Sequence, residues 1–139
     1  MVAELILPRG LGDSLLDEAR RAGTVEICGL IAASDGQAPV RYPIANRAAR
    51  AADRFDMDAA GQIAAFKAMR EAGETLLAIY HSHPHGEAEP SMHDRHGHSY
   101  PDALGLIIAP AAVRAAAIRA WAMQTGAPAE VAINWVSAL

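Results

Sequence analysis

Between Ile79 and Asp94 the chain reads I-Y-H-S-H-P-H-G-E-A-E-P-S-M-H-D, a segment crowded with side chains that bind metal ions or move protons. It begins where an apolar run ends and a loop starts, the place from which scaffolds most often present reactive groups. On a strand, residues two apart share a face, so His81 and His83 point the same way, their Cα atoms roughly 6.5 Å apart from the rise per residue. Two imidazoles so spaced can converge on one cation, whereas sequence neighbours cannot. Ser82 faces away and Pro84 ends the ladder. A catalytic zinc takes three protein ligands and keeps its fourth position for water. The third ligand should be a His, Asp or Glu carried back by the following loop. Asp94 is the choice, because Pro84, Gly86 and Pro90 give that loop room to turn. Ser91, three residues earlier, suits both a helix N-cap and a hydrogen bond into the site.

Zinc lowers the pKa of its water to about 7 and polarises a carbonyl, which brings amide hydrolysis within reach at neutral pH. The water still needs a base that later hands its proton to the leaving amine. Glu26, a charged residue at the head of an apolar run, is the candidate.

These side chains must be delivered by regular elements. Residues 2–7 read as a short strand. Leu11, Leu15, Leu16 and Ala19 recur at helical spacing over 11–22, with Gly23 as C-terminal cap. The run 25–33 is a buried strand interrupted by Gly29, 34–39 is turn chemistry, and 40–45 is a candidate for a returning strand. Residues 46–57 are polar and irregular, a substrate-facing loop. Asp58 caps a helix over 59–72 with Ile63, Phe66 and Met69 on one stripe and Gly73 at its end. Strands follow at 75–81, 104–109, 113–123 and 129–136, the last two divided by a turn at Gly126 and Pro128. The sum is two helices and about six strands in a single domain: a central mixed sheet flanked by helices, α/β, with α+β left open.

Taken together, Glu26, then His81-Ser82-His83-Pro84, then Ser91-Met92-His93-Asp94 resembles the JAMM motif of the JAMM/MPN metallopeptidases: a glutamate, HxH, seven residues, SxxD. The interval P-H-G-E-A-E-P has those seven residues. Further likeness runs through E-x-C-G-L, R-F-x-M-D, A-I-Y-H-S-H-P and Y-P-D-A, over nearly the whole chain. It is similar to the small prokaryotic branch that processes ubiquitin-like sulfur-carrier proteins. The resemblance implies a cytidine-deaminase-like fold, with His81, His83 and Asp94 binding Zn2+, Glu26 activating the water, and Ser91 stabilising the tetrahedral oxyanion. It also implies a scissile bond after a C-terminal Gly-Gly, joined to an amino acid such as cysteine or to an amine. The insertions by which larger relatives grip ubiquitin are missing.

Each residue also has a plainer reading. The histidines could be an exposed strand end, Ser91 and Asp94 a mere capping box, and Glu26 a partner of Arg20 or Arg21. Cys28 shares a face with Glu26 but reads as a small core residue. His85, His93, His96 and His98 are surplus; a solvated loop is the favoured reading, an outer layer orienting the ligands the other, and His93 could compete as a ligand. Arg47, Arg50 and Arg54 form a solvated face or, alternatively, a clamp on the substrate tail. The rival function is a non-catalytic MPN-fold interaction module with structural zinc. A zinc nucleobase deaminase needs P-C-x-x-C, and one cysteine excludes it.

Composition agrees with a globular domain: 139 residues, 52% hydrophobic (much of it alanine), 5% aromatic, net charge −4. No basic stripe suggests nucleic acid, and no apolar run approaches the roughly 18 residues of a membrane span. With no signal-peptide pattern at the start and a lone cysteine, the cytoplasm is the expected compartment. A homodimer is left open.

Overall fold

The computed structural model describes residues 4–123 and 127–137. Val2, Ala3 and Gly126, which the sequence places in the first strand and the last turn, lie outside them. The described elements are β1 (Glu4–Pro8), α1 (Arg9–Ala22), β2 (Cys28–Ala33), β3 (Val40–Ile44), α2 (Ala59–Glu71), β4 (Thr75–Ser82), α3 (Met92–Gly97), β5 (Leu104–Ile108), β6 (Ile118–Ala122) and β7 (Ala129–Val136). The strands form one mixed sheet in the order β1-β7-β6-β5-β4-β2-β3. β1 runs parallel to β7 and β4 to β5, and the other neighbours are antiparallel. This is the expected α/β architecture, with a helix on each face.

The two faces bury different residues because side chains alternate along a strand. Leu11, Leu15 and Ala19 of α1 pack on Ile31, Ala78, Tyr80, Leu106 and Ile108. Ala65 and Met69 of α2 pack on Leu30, Ala32, Ile44 and Ile79. Tyr80 is fully buried, its hydroxyl donating to Glu18 of α1 at 3.0 Å. His81, next along β4, therefore faces the α2 side, where it lines a cavity with Gln62 of that helix.

Four expectations are corrected. Ile63 is 71% exposed, because the face of α2 that meets the sheet runs through Ala65 and Met69. The second strand starts at Cys28 instead of residue 25, since the Glu26 amide donates to Ala51 O and the Ile27 amide to Ser82 Oγ, leaving neither for the ladder. The sixth strand starts at Ile118 rather than 113, since the Val113 and Arg114 amides are held by the Glu87 carboxylate. A third helix, short, follows Ser91, and seven strands rather than about six are present among the described residues. Asp58 caps α2 as expected, accepting from the Gly61 amide at 2.9 Å, and Gly23 and Gly73 follow their helices at positive φ.

Candidate metal centre

Strand register brings the chemistry together. In the antiparallel β2–β4 pair Cys28 lies opposite His81. Extending that register two residues past the end of the ladder sets Glu26 opposite His83. The backbone continues the alignment, with Ser82 N donating to Ile27 O at 3.1 Å and His83 N to Ile108 O of β5 at 2.8 Å. A glutamate and two histidines more than fifty residues apart thus share the rim of the sheet, on one face.

Asp94 arrives from the other direction. Ser91 Oγ accepts from the Asp94 amide at 3.0 Å, and Asp94 Oδ2 accepts from the Ser91 amide at 2.9 Å, a reciprocal capping box. The box fixes the carboxylate at the first turn of α3 with Oδ1 turned toward His81, so the capping role leaves the carboxylate available to a metal. Because Ser91 Oγ is an acceptor in the box, its hydroxyl proton stays free to donate elsewhere.

Two imidazole nitrogens and the two oxygens of one carboxylate converge. His81 Nε2 lies 3.1 Å from His83 Nε2 and 3.1 Å from Asp94 Oδ1, and His83 Nε2 lies 3.0 Å from Asp94 Oδ2. A tetrahedral zinc with bonds of about 2.0–2.1 Å would span its ligands at edges of about 3.3 Å, close to the 3.1 Å between the two imidazole nitrogens, and with one carboxylate oxygen the three ligand atoms lie within 4.8 Å of one another. Tautomerism points the same way. His83 Nδ1 donates to Glu87 O at 2.8 Å, so the Nε2 proton that bonds Asp94 is the one a metal would displace. His81 and Asp94 are buried and His83 is partly so. Among the described residues these three form a group able to hold a metal ion, and Cys28 is outside it.

The electrostatics follow from burial and contact. Burial alone would raise the Asp94 carboxyl, but hydrogen bonds to His81 and His83 hold it well below the usual range. Burial drives the His81 imidazole down. At His83 burial acts the same way, yet Asp94 and the Glu87 carbonyl outweigh it and the pKa rises. Glu26 is 5% exposed, and its Oε1 has no hydrogen-bond partner among the described residues. Burial pushes it up to about 7, with His83 opposing and Asp94 and Asp53 reinforcing. Among the described residues it makes no ion pair with an arginine, and Arg21 pairs with Asp17 on α1. An orphaned carboxylate oxygen beside a donor triangle fits a bound ion carrying a water.

The surplus residues divide. His85 and His96 are exposed. His98 Nε2 reaches the Tyr100 and Ala103 carbonyls, both at 2.9 Å, and braces the loop before β5. His93 lines a cavity of about 200 Å³ that abuts His81 and Asp94 and is walled by Phe55, Met57, Ile79, Tyr100 and Met123. Arg47 and Arg50 bond Asp58 and Asp53 on the surface. Cys28 is core: it is fully buried, donates to Ile44 O, and burial raises its thiol to about 12. Sequence reasoning missed Phe55, whose ring stacks on His81 at 4.6 Å and 21°. It also missed Glu87, Trp121 and Asn46, which no motif or period marks because their partners are distant in the chain.

Known proteins bear on this geometry. A family profile described as prokaryotic homologs of the JAB domain matches residues 8–124. The desampylase of Haloferax volcanii is 30% identical over 114 residues, 78% of this chain and 82% of the relative. The CysO-cysteine peptidase of Mycobacterium tuberculosis is 29% identical over 133 residues, 95% of this chain and 91% of the relative. A solution structure from Desulfitobacterium hafniense superposes with a TM-score of 0.84 at 29% identity, covering 97% of this chain and 94% of that one. A JAB1/MPN domain protein from Archaeoglobus fulgidus shares the fold, at TM-score 0.57 and 16% identity over 94% and 96% of the two chains. With the profile spanning most of its length, the chain belongs to the prokaryotic JAB family and is a hydrolase of the JAMM type.

Proposed function

We propose that the chain is a zinc-dependent peptidase or isopeptidase. It hydrolyses the bond after the C-terminal Gly-Gly of a ubiquitin-like or sulfur-carrier protein and releases an amino acid such as cysteine or a conjugated amine. The names of the relatives, a desampylase and a CysO-cysteine peptidase, support the substrate class. The observation that carries the chemistry is the donor triangle of His81, His83 and Asp94 beside the unpartnered carboxylate of Glu26.

Zinc, when bound, would supply an acidified water and a polarised carbonyl at neutral pH. His81, His83 and Asp94 would hold the ion. Glu26 takes a proton from the attacking water and delivers it to the leaving amine, a task suited to a carboxyl raised toward neutrality. Ser91 directs its free hydroxyl proton at the developing oxyanion. The extended carrier tail lies along the sheet edge beside residues 46–57, where β3 is the last strand and pairs through its backbone. Glycines at the cut pass where larger side chains would meet the metal ligands. A reducing compartment such as the cytoplasm suits the single free thiol.

The test incubates zinc-loaded protein with carrier proteins ending in Gly-Gly-amino acid and weighs the products. Cleavage after the second glycine is expected. Glu26→Ala should keep stoichiometric zinc and lose at least about 10²-fold in rate, the scale of acid–base catalysis. Activity of that variant within a few-fold of wild type would remove Glu26 from the mechanism. Intact carriers with every amine tested would refute the hydrolase reading.

A further inference from the structure

Glu26 Oε1 makes no hydrogen bond among the described residues, so its position is set through the main chain and packing. That main chain is held by one loop from both sides. The Glu26 amide donates to Ala51 O at 2.7 Å, and the Glu26 carbonyl accepts from Asn46 Nδ2 at 3.0 Å. Asn46 does more than this. Its Nδ2 also donates to Arg54 O at 2.9 Å, and its Oδ1 accepts from the Ala48 and Asp56 amides, each at 3.0 Å. A carboxamide offers two donor hydrogens and two acceptor lone pairs, and here all four are engaged.

The partners have a pattern. Arg54 O and Asp56 N flank Phe55, the ring stacked on His81. The loop is closed at its base by the Asn46–Met57 bridge, by Arg47 N to Asp56 O at 2.8 Å and by Asp58 N to Ala45 O at 2.9 Å. One side chain therefore ties the segment bearing the carboxylate to the segment bearing the ring that backs a histidine of the triangle. We propose that Asn46 is a positioning residue that holds Glu26 and the Phe55–His81 stack in one fixed geometry for hydrolysis. The catalytic half of this rests on Glu26 being the general base.

Asn46→Asp keeps the acceptor bonds to Ala48 and Asp56 and removes both donors, whereas Asn46→Ala removes all four. In zinc-loaded protein, with zinc content unchanged, Asn46→Asp should lower kcat on a Gly-Gly-amino acid carrier about tenfold or more, since misplacement by ~1 Å can cost about 10²-fold. KM should stay within about twofold. On a Glu26→Ala background the same change should cost much less, through the Phe55–His81 stack alone, because groups acting through one another are not additive. Amide exchange supplies a readout independent of activity: the Glu26 amide should lose protection in Asn46→Asp, while the Ala48 and Asp56 amides lose it only in Asn46→Ala. Unchanged exchange at Glu26, or an equal further loss of kcat on the Glu26→Ala background, would overturn the proposal. A wild-type protein that cleaves no carrier while Asn46→Asp still frees the Glu26 amide would sink the proposed activity and leave the positioning contact standing.

Discussion

The buried carboxylate that suits the chemistry should weaken the fold, and Glu26→Gln measures by how much. Gln keeps the shape and removes the charge. Glu26 is raised from its ordinary 4.5 to about 7 by burial, so the folded protein holds this proton more tightly than the unfolded chain does. The sign follows. Below pH 4.5 the group is protonated in both states and contributes nothing; as pH rises toward 7 the unfolded state ionises first and the fold loses stability; above about 8 the full cost is present. Each tenfold gain in proton affinity on folding is worth about 1.4 kcal/mol, so the penalty comes to roughly 3 kcal/mol. Burial of the Gln amide offsets part of it. Thermal melts of metal-free protein in chelator, followed by circular dichroism at pH 5 and pH 8, are the assay. Glu26→Gln should gain little over wild type at pH 5 and about 5–10 °C at pH 8, taking about 3–4 °C per kcal/mol for a chain of this size. Zinc should shrink the gain, because a nearby cation stabilises the ionised carboxylate. A difference in Tm that is the same at both pH values would refute the claim that Glu26 is costly because it is buried and unpaired.

His83→Ala should leave zinc stoichiometry near zero at neutral pH by elemental analysis, and retained zinc would mean the ligand set is wrong. Trp121→Phe keeps its ring but deletes the 2.9 Å bond from the indole to Ala88 O, next to the Glu87 carbonyl that orients His83. Zinc affinity by chelator competition should fall about tenfold, at the low end for outer hydrogen-bonding partners; an unchanged Kd would detach the loop from the metal. Gly29→Ala should cost about 1–3 kcal/mol in urea unfolding, because a Cβ there would come within 2.5 Å of Tyr42 O and the Tyr80 ring. A loss under about 0.5 kcal/mol would show that the strand shifts to make room.

How much was legible depends on whether a partner lay within reach along the chain. His81 and His83 follow from a period of two, and Ser91 and Asp94 from a spacing of three that is also a capping box; both are local, and the structure joins three of these four in one triangle. Glu26 stood out only as a charge beside an apolar run, and its nearness to His83 comes from the β2–β4 register, which no local pattern encodes. The helix caps at Asp58, Gly23 and Gly73 were readable for the same local reason. The errors fall where a distant side chain took over a backbone donor, as Glu87 does at Val113 and Ser82 at Ile27. Ile63 misled because spacings of three from Phe66 and Met69 fit more than one helical stripe, and only the sheet decides which one is buried.

The proposed metal centre sits between two straps, which hold the Pro- and Gly-rich loop that leads to Asp94. On one side the consecutive residues Glu87, Ala88 and Glu89 are tied to the Val113 and Arg114 amides, the Trp121 indole and Arg119, whose guanidinium also lies 4.8 Å over the Trp121 ring. On the other, Asn46 and Ala51 grip Glu26. The two straps share no residue and descend from opposite parts of the sheet. Loosening the first should move His83 and weaken metal binding with the base in place. Loosening the second should move the base with the metal in place. A site held by general rigidity alone would lose both together, so the separation of zinc affinity from kcat between Trp121→Phe and Asn46→Asp distinguishes the two constructions.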